Sequence, residues 1–239
     1  MNHSAWFVDA RGYFDRAKLV EKYQLGGISE WEIGYGDDFA IEEVKKVAIA
    51  MGQDKVVGEV AATSENLLYG ESITFNGTFK LADGRPVASA PVFIEIKRAS
   101  GNSRKPIAQT GLDGSFQAKV LLGESSNISF TIDETRDRTL GLTPEKTIGV
   151  SRLISWNIPA SMKRGVSYKV TGQLQPKVPG IKVVLDDGKK KIDTISLADG
   201  KFEFEFTPTK IGVMQFRIVT EAESGFIASA TTYAAVLVR

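Results

Sequence analysis

Two glutamates flank a tryptophan near the start of the chain, in the order Glu30, Trp31, Glu32. Closely spaced carboxylates are material for general acid–base work. On a strand, however, residues i and i+2 share a face, and such a pair ordinarily sits in solvent without doing chemistry. Trp156 and Tyr168 are further candidates for contacting a ligand, with apolar core as the commoner use of both. Asp133-Glu134 with Asp137, and Asp186-Asp187, offer oxygens to calcium. Turn chemistry accounts for Asp186-Asp187-Gly188 more cheaply. Lys189-Lys190-Lys191 reads as a solvated charge run on a hairpin that guards a sheet edge, with an anionic polymer as the alternative partner.

Other chemistries are excluded by residue type. There is no cysteine, so disulfides, thiolate metal sites and cysteine nucleophiles are absent. The one histidine is His3, which removes serine–histidine catalysis and histidine-rich metal sites. No glycine-rich phosphate cradle with its lysine occurs. No cofactor is implied. Thirty basic and 29 acidic residues leave a net charge of +1, which supplies no global pull toward nucleic acid or an anionic membrane. No apolar run is long enough to span a bilayer. The opening residues do not read as a secretory signal.

The elements that must position these groups fall into two textures. In the opening segment, Phe14, Ala17, Leu19, Val20 and Tyr23 recur at roughly helical spacing and predict a helix that stops at Gly26-Gly27. A short strand is expected over 28–33, and a second helix over 39–51 with Asp38 as its N-cap. From about Val56 the pattern alternates, with apolar runs over 72–79, 92–97, 115–121 and 128–132 broken by Gly, Pro, Asn and Asp. Lys201-Phe202-Glu203-Phe204-Glu205-Phe206 puts three phenylalanines on one face and two glutamates on the other.

The alternating part repeats itself. Gly70 through Gly77 matches Gly165 through Gly172, with the same interval between glycines. Asp113-Gly114-Ser115-Phe116 matches Asp199-Gly200-Lys201-Phe202, each Asp-Gly making a turn that needs positive φ. Ile128-Ser129-Phe130 matches Met214-Gln215-Phe216. The expected fold is mainly β: two tandem immunoglobulin-like β-sandwiches, over 54–145 and 146–239, preceded by a helix–strand–helix unit over 1–53.

That opening unit resembles the C-terminal end of family 18 glycoside hydrolases, the chitinase-like and cell-wall glucosaminidase branch. The positions that carry the resemblance are Asp9, Ala10, Arg16, Leu19, Tyr23, Leu25, Gly27 and Trp31, with Gly34 beyond. Gly12 departs from the family's usual serine, and Arg16 from its commoner lysine. The resemblance implies a remnant of a (β/α)8 barrel whose last strand ends at Trp31, a platform for a sugar ring. It brings no catalytic residue. The family's aspartate-rich motif with its glutamate acid is missing, and a whole barrel needs about 250 residues where only about 50 precede the sandwiches.

The expectation is therefore the C-terminal portion of a secreted, extracellular or cell-surface hydrolase of chitin or peptidoglycan, inactive by itself. Its immunoglobulin-like modules would space the enzyme or bind glycan through Trp156 or Tyr168. A partner chain completing the barrel is a further possibility. The alternative is a non-enzymatic bacterial surface or adhesion protein.

Overall fold

The computed structural model describes residues 10–23, 25, 38–39, 42, 45, 52–189 and 191–239. The chain divides into two compact units, Met1–Val56 with Asp133–Gly141, and Val57–Ile132 with Leu142–Arg239.

In the first unit, helix α1 (Ala10–Tyr23) forms where helical spacing predicts it. Ala17 and Val20 are buried three residues apart on one face, whereas Leu19 and Tyr23 are exposed. Phe39, Glu42 and Lys45, from the expected second helix, are helical, and so is Asp38, the expected N-cap; Lys45 Nζ lies 2.6 Å from Glu42 Oε1. The expected strand over 28–33 lies outside the described residues, as do Glu30, Trp31 and Glu32. The described residues of this unit show no barrel remnant.

The remainder is mainly β, with sheets consistent with immunoglobulin-like sandwiches. Its first set of strands is β1 (Val56–Ala62), β2 (Asn66–Leu68), β3 (Ser72–Leu81), β4 (Pro91–Arg98), β5 (Ser103–Gln109), β6 (Ser115–Leu121), β7 (Ser126–Ile132), β8 (Gly141–Leu142) and β9 (Lys146–Ser151). The second set is β10 (Leu153–Asn157), β11 (Ser161–Met162), β12 (Tyr168–Gln175), β13 (Lys182–Asp186), β14 (Lys191–Ile195), β15 (Lys201–Phe206), β16 (Gly212–Thr220), β17 (Ser229–Ala230) and β18 (Ala234–Val238).

The first sandwich packs sheet β1-β3-β6 against sheet β2-β9-β7-β4-β5, with β8 on β7. The second packs β10-β12-β15 against β11-β18-β16-β13-β14, with β17 on β16. Raising each strand number of the first by nine gives the second. In both, the short second strand runs parallel to the last, β2 to β9 and β11 to β18.

The repeated residues have one physical cause. Gly77 pairs with Phe116, and Gly172 with Phe202. A Cβ on Gly77 would lie 2.5 Å from the Phe116 ring and one on Gly172 2.2 Å from the Phe202 ring, so each glycine makes room for an aromatic laid over its backbone. The Asp-Gly turns also recur. Gly114 and Gly200 have φ of 78° and 76°, and Asp113 and Asp199 Oδ1 accept the N–H two residues on at 3.0 and 3.1 Å. Those donated hydrogen bonds, Ser115 Oγ first for Asp113 and Lys201 Nζ first for Asp199, hold both carboxyls below their usual pKa.

A buried hydroxyl recurs three residues before each Asp-Gly. Thr110 Oγ1 accepts from Ala90 N–H at 2.8 Å, and Ser196 Oγ accepts from Ile181 N–H at 3.0 Å. One expected match is shifted. Phe130 N–H donates to Thr143 Oγ1 at 3.0 Å, and the counterpart is Ile218 N–H donating to Thr231 Oγ1, also at 3.0 Å. Phe130 thus corresponds to Ile218 and not to Phe216. A slip of two residues keeps every side chain on its face, so alternation alone could not detect it.

The first core centres on Phe75, Phe116 and Phe130, with ring centroids 5.0–5.2 Å from Phe130. In β15, Phe202, Phe204 and Phe206 are all buried and the intervening glutamates exposed, as the alternation predicts.

Candidate functional site: the joint between the sandwiches

The chain crosses from the first sandwich to the second at a single residue. β9 ends at Ser151, Arg152 follows, and β10 begins at Leu153. No stretch of glycine, serine or proline separates the two cores. The connection between β16 and β17, residues 221–228, reaches back to the end of the first sandwich.

There the two modules share main-chain hydrogen bonds. Ile227 N–H donates to Val150 O at 3.0 Å, and Ser125 N–H to Gly225 O at 2.8 Å. Arg152 N–H donates to Ser229 Oγ at 2.7 Å. Gly149 lies under Ile227, whose Cδ1 and Cγ2 would be 3.1 Å from a Cβ at that position. Gly225 has φ of 78°, a conformation that favours glycine at this turn.

The side chains close over Phe226. The Tyr69 ring lies 6.2 Å away at 51°, and Arg152 Cζ sits 4.2 Å from the Phe226 centroid. Arg152 is 1% exposed. Its Nη2 donates to Glu223 O at 3.4 Å, while its Nε and Nη1 and Glu223 Oε1 have no hydrogen-bond partner. Burial lowers the Arg152 pKa and the Glu223 charge opposes that shift. Arginine stays protonated under such pressure, so the joint contains a desolvated cation held on an aromatic face. Its electrostatic complement is Glu223, on the same connection.

A similar pattern lies within the first unit. Thr139 N–H donates to Asp54 O at 3.0 Å, Asp54 N–H to Asp137 O at 2.8 Å, and Val56 N–H to Thr139 Oγ1 at 3.1 Å. Asp54–Arg138 and Ser151–Ile227 are both isolated parallel bridges. The connection between β7 and β8 thus grips the chain entering β1 as the connection between β16 and β17 grips the chain entering β10.

The candidates from sequence do not converge on this joint. Trp31 lies outside the described residues. Trp156 is half-buried on β10 opposite Gly172 and packs against the second core. Tyr168 also packs on that core, and its hydroxyl accepts from Lys163 N–H at 2.8 Å. Asp186 Oδ1 accepts from Gly188 N–H at 2.9 Å, and its Oδ2 accepts from Arg217 Nε at 3.0 Å and forms an ion pair with Nη2 at 2.9 Å. Asp187 Oδ1 accepts from Lys189 N–H at 2.8 Å, as in a β13–β14 hairpin turn.

Among the described residues, no three His, Asp or Glu side chains are grouped to hold a metal, and no helix is long and apolar enough to cross a membrane. Among the described residues, shallow grooves lie on outer sheet faces. One, of about 650 Å³, is lined by amide and hydroxyl groups such as Asn76, Thr78, Ser115 and Gln117. Another, of about 260 Å³, is lined by Lys182, Asp186, Asp193, Arg217 and Glu221, with Lys182 between Asp193 and Glu221 at 3.7 and 3.8 Å. Arg152, Phe226, Gly149 and Gly225 were missed from sequence. Their one visible signal is the apolar pair Phe226-Ile227 after Gly225, inside a segment that otherwise reads as a polar loop.

No family model and no curated protein matches the chain. Similar solved structures include the Yersinia pseudotuberculosis adhesin InvE, at 14% identity and a TM-score of 0.34, covering 75% of this chain and 58% of that one. The Escherichia coli adhesin FdeC is similar at 11% identity and a TM-score of 0.32, covering 76% and 64%. The alpha-2-macroglobulin of E. coli is similar at 10% identity and 0.33, covering 77% and 17%. The chain thus spans less than two thirds of each of these proteins. The resemblance to family 18 glycoside hydrolases is corrected by these findings, which contain immunoglobulin-like proteins and no glycoside hydrolase family. The physical reason is the brevity of the motif: a helix stopped by Gly-Gly and followed by an apolar run with an aromatic is local chemistry that many folds use.

Proposed function

We propose that this chain is a non-enzymatic, surface-exposed protein whose two immunoglobulin-like sandwiches act as one stiff spacer or adhesion element. The observation that supports this is the joint. A flexible tether between sandwiches would expose its main chain and leave each core to move alone. Here one residue separates the two cores, main-chain hydrogen bonds bridge them, and Phe226 is clamped between Tyr69 and Arg152. Each such hydrogen bond contributes about 0.5–1.5 kcal/mol, and the arginine on the aromatic face adds about 0.5–2 kcal/mol. Together these terms hold the joint closed most of the time.

Residual dipolar couplings test the proposal. In a weakly aligned sample, amides of the two sandwiches are expected to fit a single alignment tensor. The double variant Arg152→Ala, Phe226→Ala is expected to need two. Two unrelated tensors for the wild-type chain would refute the stiff-spacer reading.

A further inference from the structure

The repeat places a second copy of the joint's receiving surface at the far end of the second sandwich. Tyr69 N–H donates to Ser151 O at 2.8 Å, and Arg164 N–H donates to Arg239 O at 2.8 Å. β2 pairs Asn66 with Gly149, and β11 pairs Ser161 with Leu237. Thr143 and Thr231 cap Phe130 and Ile218 alike. Counting along each strand from these anchors, Ser125 corresponds to Val213, Gly149 to Leu237, Tyr69 to Arg164 and Ser151 to Arg239. In the first sandwich, Ser125, Gly149 and Tyr69 are the residues that receive the 221–228 connection.

Two of their three counterparts in the second sandwich, Val213 and Leu237, are apolar, and the third is Arg164. Val213 is 68% exposed and Leu237 37%, and the two are paired neighbours across β16 and β18. Ile211, just before the strand, is 67% exposed. Two large aliphatic side chains paired at the end of a sheet whose other outward positions include Gln215 and Arg217 mark a contact surface.

We infer that this end of the second sandwich docks a further β-sandwich module, through that module's counterpart of the 221–228 connection. The inference rests on the stiff-array reading above and extends it to a second joint. The occupant must differ in one respect from the second sandwich itself. In the existing joint the knob is Ile227 and the hole is Gly149. At the far end the knob is Leu237, so the incoming connection must be small where residue 227 is isoleucine. An isoleucine there would collide, since even a bare Cβ at Gly149 comes within 3.1 Å of the Ile227 side chain. Arg164, in the place of Tyr69, suits an aromatic at the position of Phe226, the pairing that Arg152 already makes. The end surfaces therefore set the order of modules as well as their attachment.

The test extends the full chain after Arg239 by a second copy of residues 152–239, so that the added Arg152 follows Arg239 as the first follows Ser151. Two versions are made, one retaining isoleucine at the added 227 position and one with Ile227→Gly there. With glycine, the second and added sandwiches are expected to share one alignment tensor. The amide at the added 227 position is expected to exchange at least tenfold more slowly than in the same chain carrying Val213→Asp. With isoleucine, the added sandwich is expected to tumble separately. Independent tensors in the glycine version overturn the inference, and so does docking that is indifferent to the two versions. Sedimentation of the unextended chain as a dimer that Val213→Asp dissolves would assign the patch to a second copy and equally overturn it. The original joint reports in the same sample. If the first two sandwiches stay coupled while the third does not, only this inference fails; if they too uncouple, the stiff-spacer reading fails.

Discussion

Replacing Gly172 by alanine puts a methyl group where the structure has an aromatic ring. The new Cβ would stand 2.2 Å from Phe202 Cζ and 2.6 Å from Ser155 O. The ring could yield by rotating, but the carbonyl belongs to the neighbouring strand β10 and cannot swing aside. Relief needs a movement of about 1 Å in a packed sheet, and overpacking of this kind costs about 1–3 kcal/mol. Alanine recovers about 0.4–1 kcal/mol by restricting the unfolded chain. The expected net loss is about 1–2 kcal/mol. For a module of this size each kilocalorie lowers Tm by about 4–8 °C, so the second sandwich should melt about 5–15 °C lower. Calorimetry and urea titration of the full chain measure it. Phe202→Leu provides the double-mutant cycle: in that background the penalty of Gly172→Ala should shrink by the share the ring contributes, while the clash with Ser155 O remains. A neutral Gly172→Ala, or the same penalty in both backgrounds, would refute the claim that each repeated glycine exists for its phenylalanine.

Gly77→Ala should behave alike in the first sandwich, against Phe116, and chemical-shift changes should centre on β3 and β6. Thr110→Val keeps the shape but leaves Ala90 N–H without the hydroxyl it donates to, at a cost of about 1–3 kcal/mol read by urea titration. Arg152→Met keeps apolar volume but removes the cation from the Phe226 face and leaves the Glu223 charge without its complement, so it should cost about 0.5–2 kcal/mol or more by urea titration; a neutral or stabilising substitution would show that the cation contributes nothing to the joint. The Asp186 carboxyl is held below its usual pKa by the Gly188 N–H and then by Arg217. Its folded value lies below its unfolded value, so its contribution is full above about pH 4 and lost as pH falls through and below that value. Stability measured from pH 7 to pH 3 should fall less steeply in Asp186→Asn.

Alternation, turn residues and the internal repeat are local properties, and they determined the β-sandwich class, the duplication, the two positive-φ Asp-Gly turns and the buried face of Lys201–Phe206. The exchange of Gly77 and Gly172 for space under Phe116 and Phe202 was visible as a repeated spacing, although its cause was not. The match of Phe130 to Phe216 failed because a two-residue slip leaves a period-two pattern unchanged. The hydrolase lineage failed because a short run of helix stop, apolar strand and aromatic follows from local chemistry shared by unrelated folds. The joint was illegible for a different reason. Arg152 and Phe226 lie far apart in sequence, and an arginine after a strand or a phenylalanine in a loop has no meaning until the tertiary structure sets one on the other. Which polar residue is buried, which glycine serves as a hole and which leucine is left as an uncovered knob are properties of surfaces formed only once both sandwiches have folded.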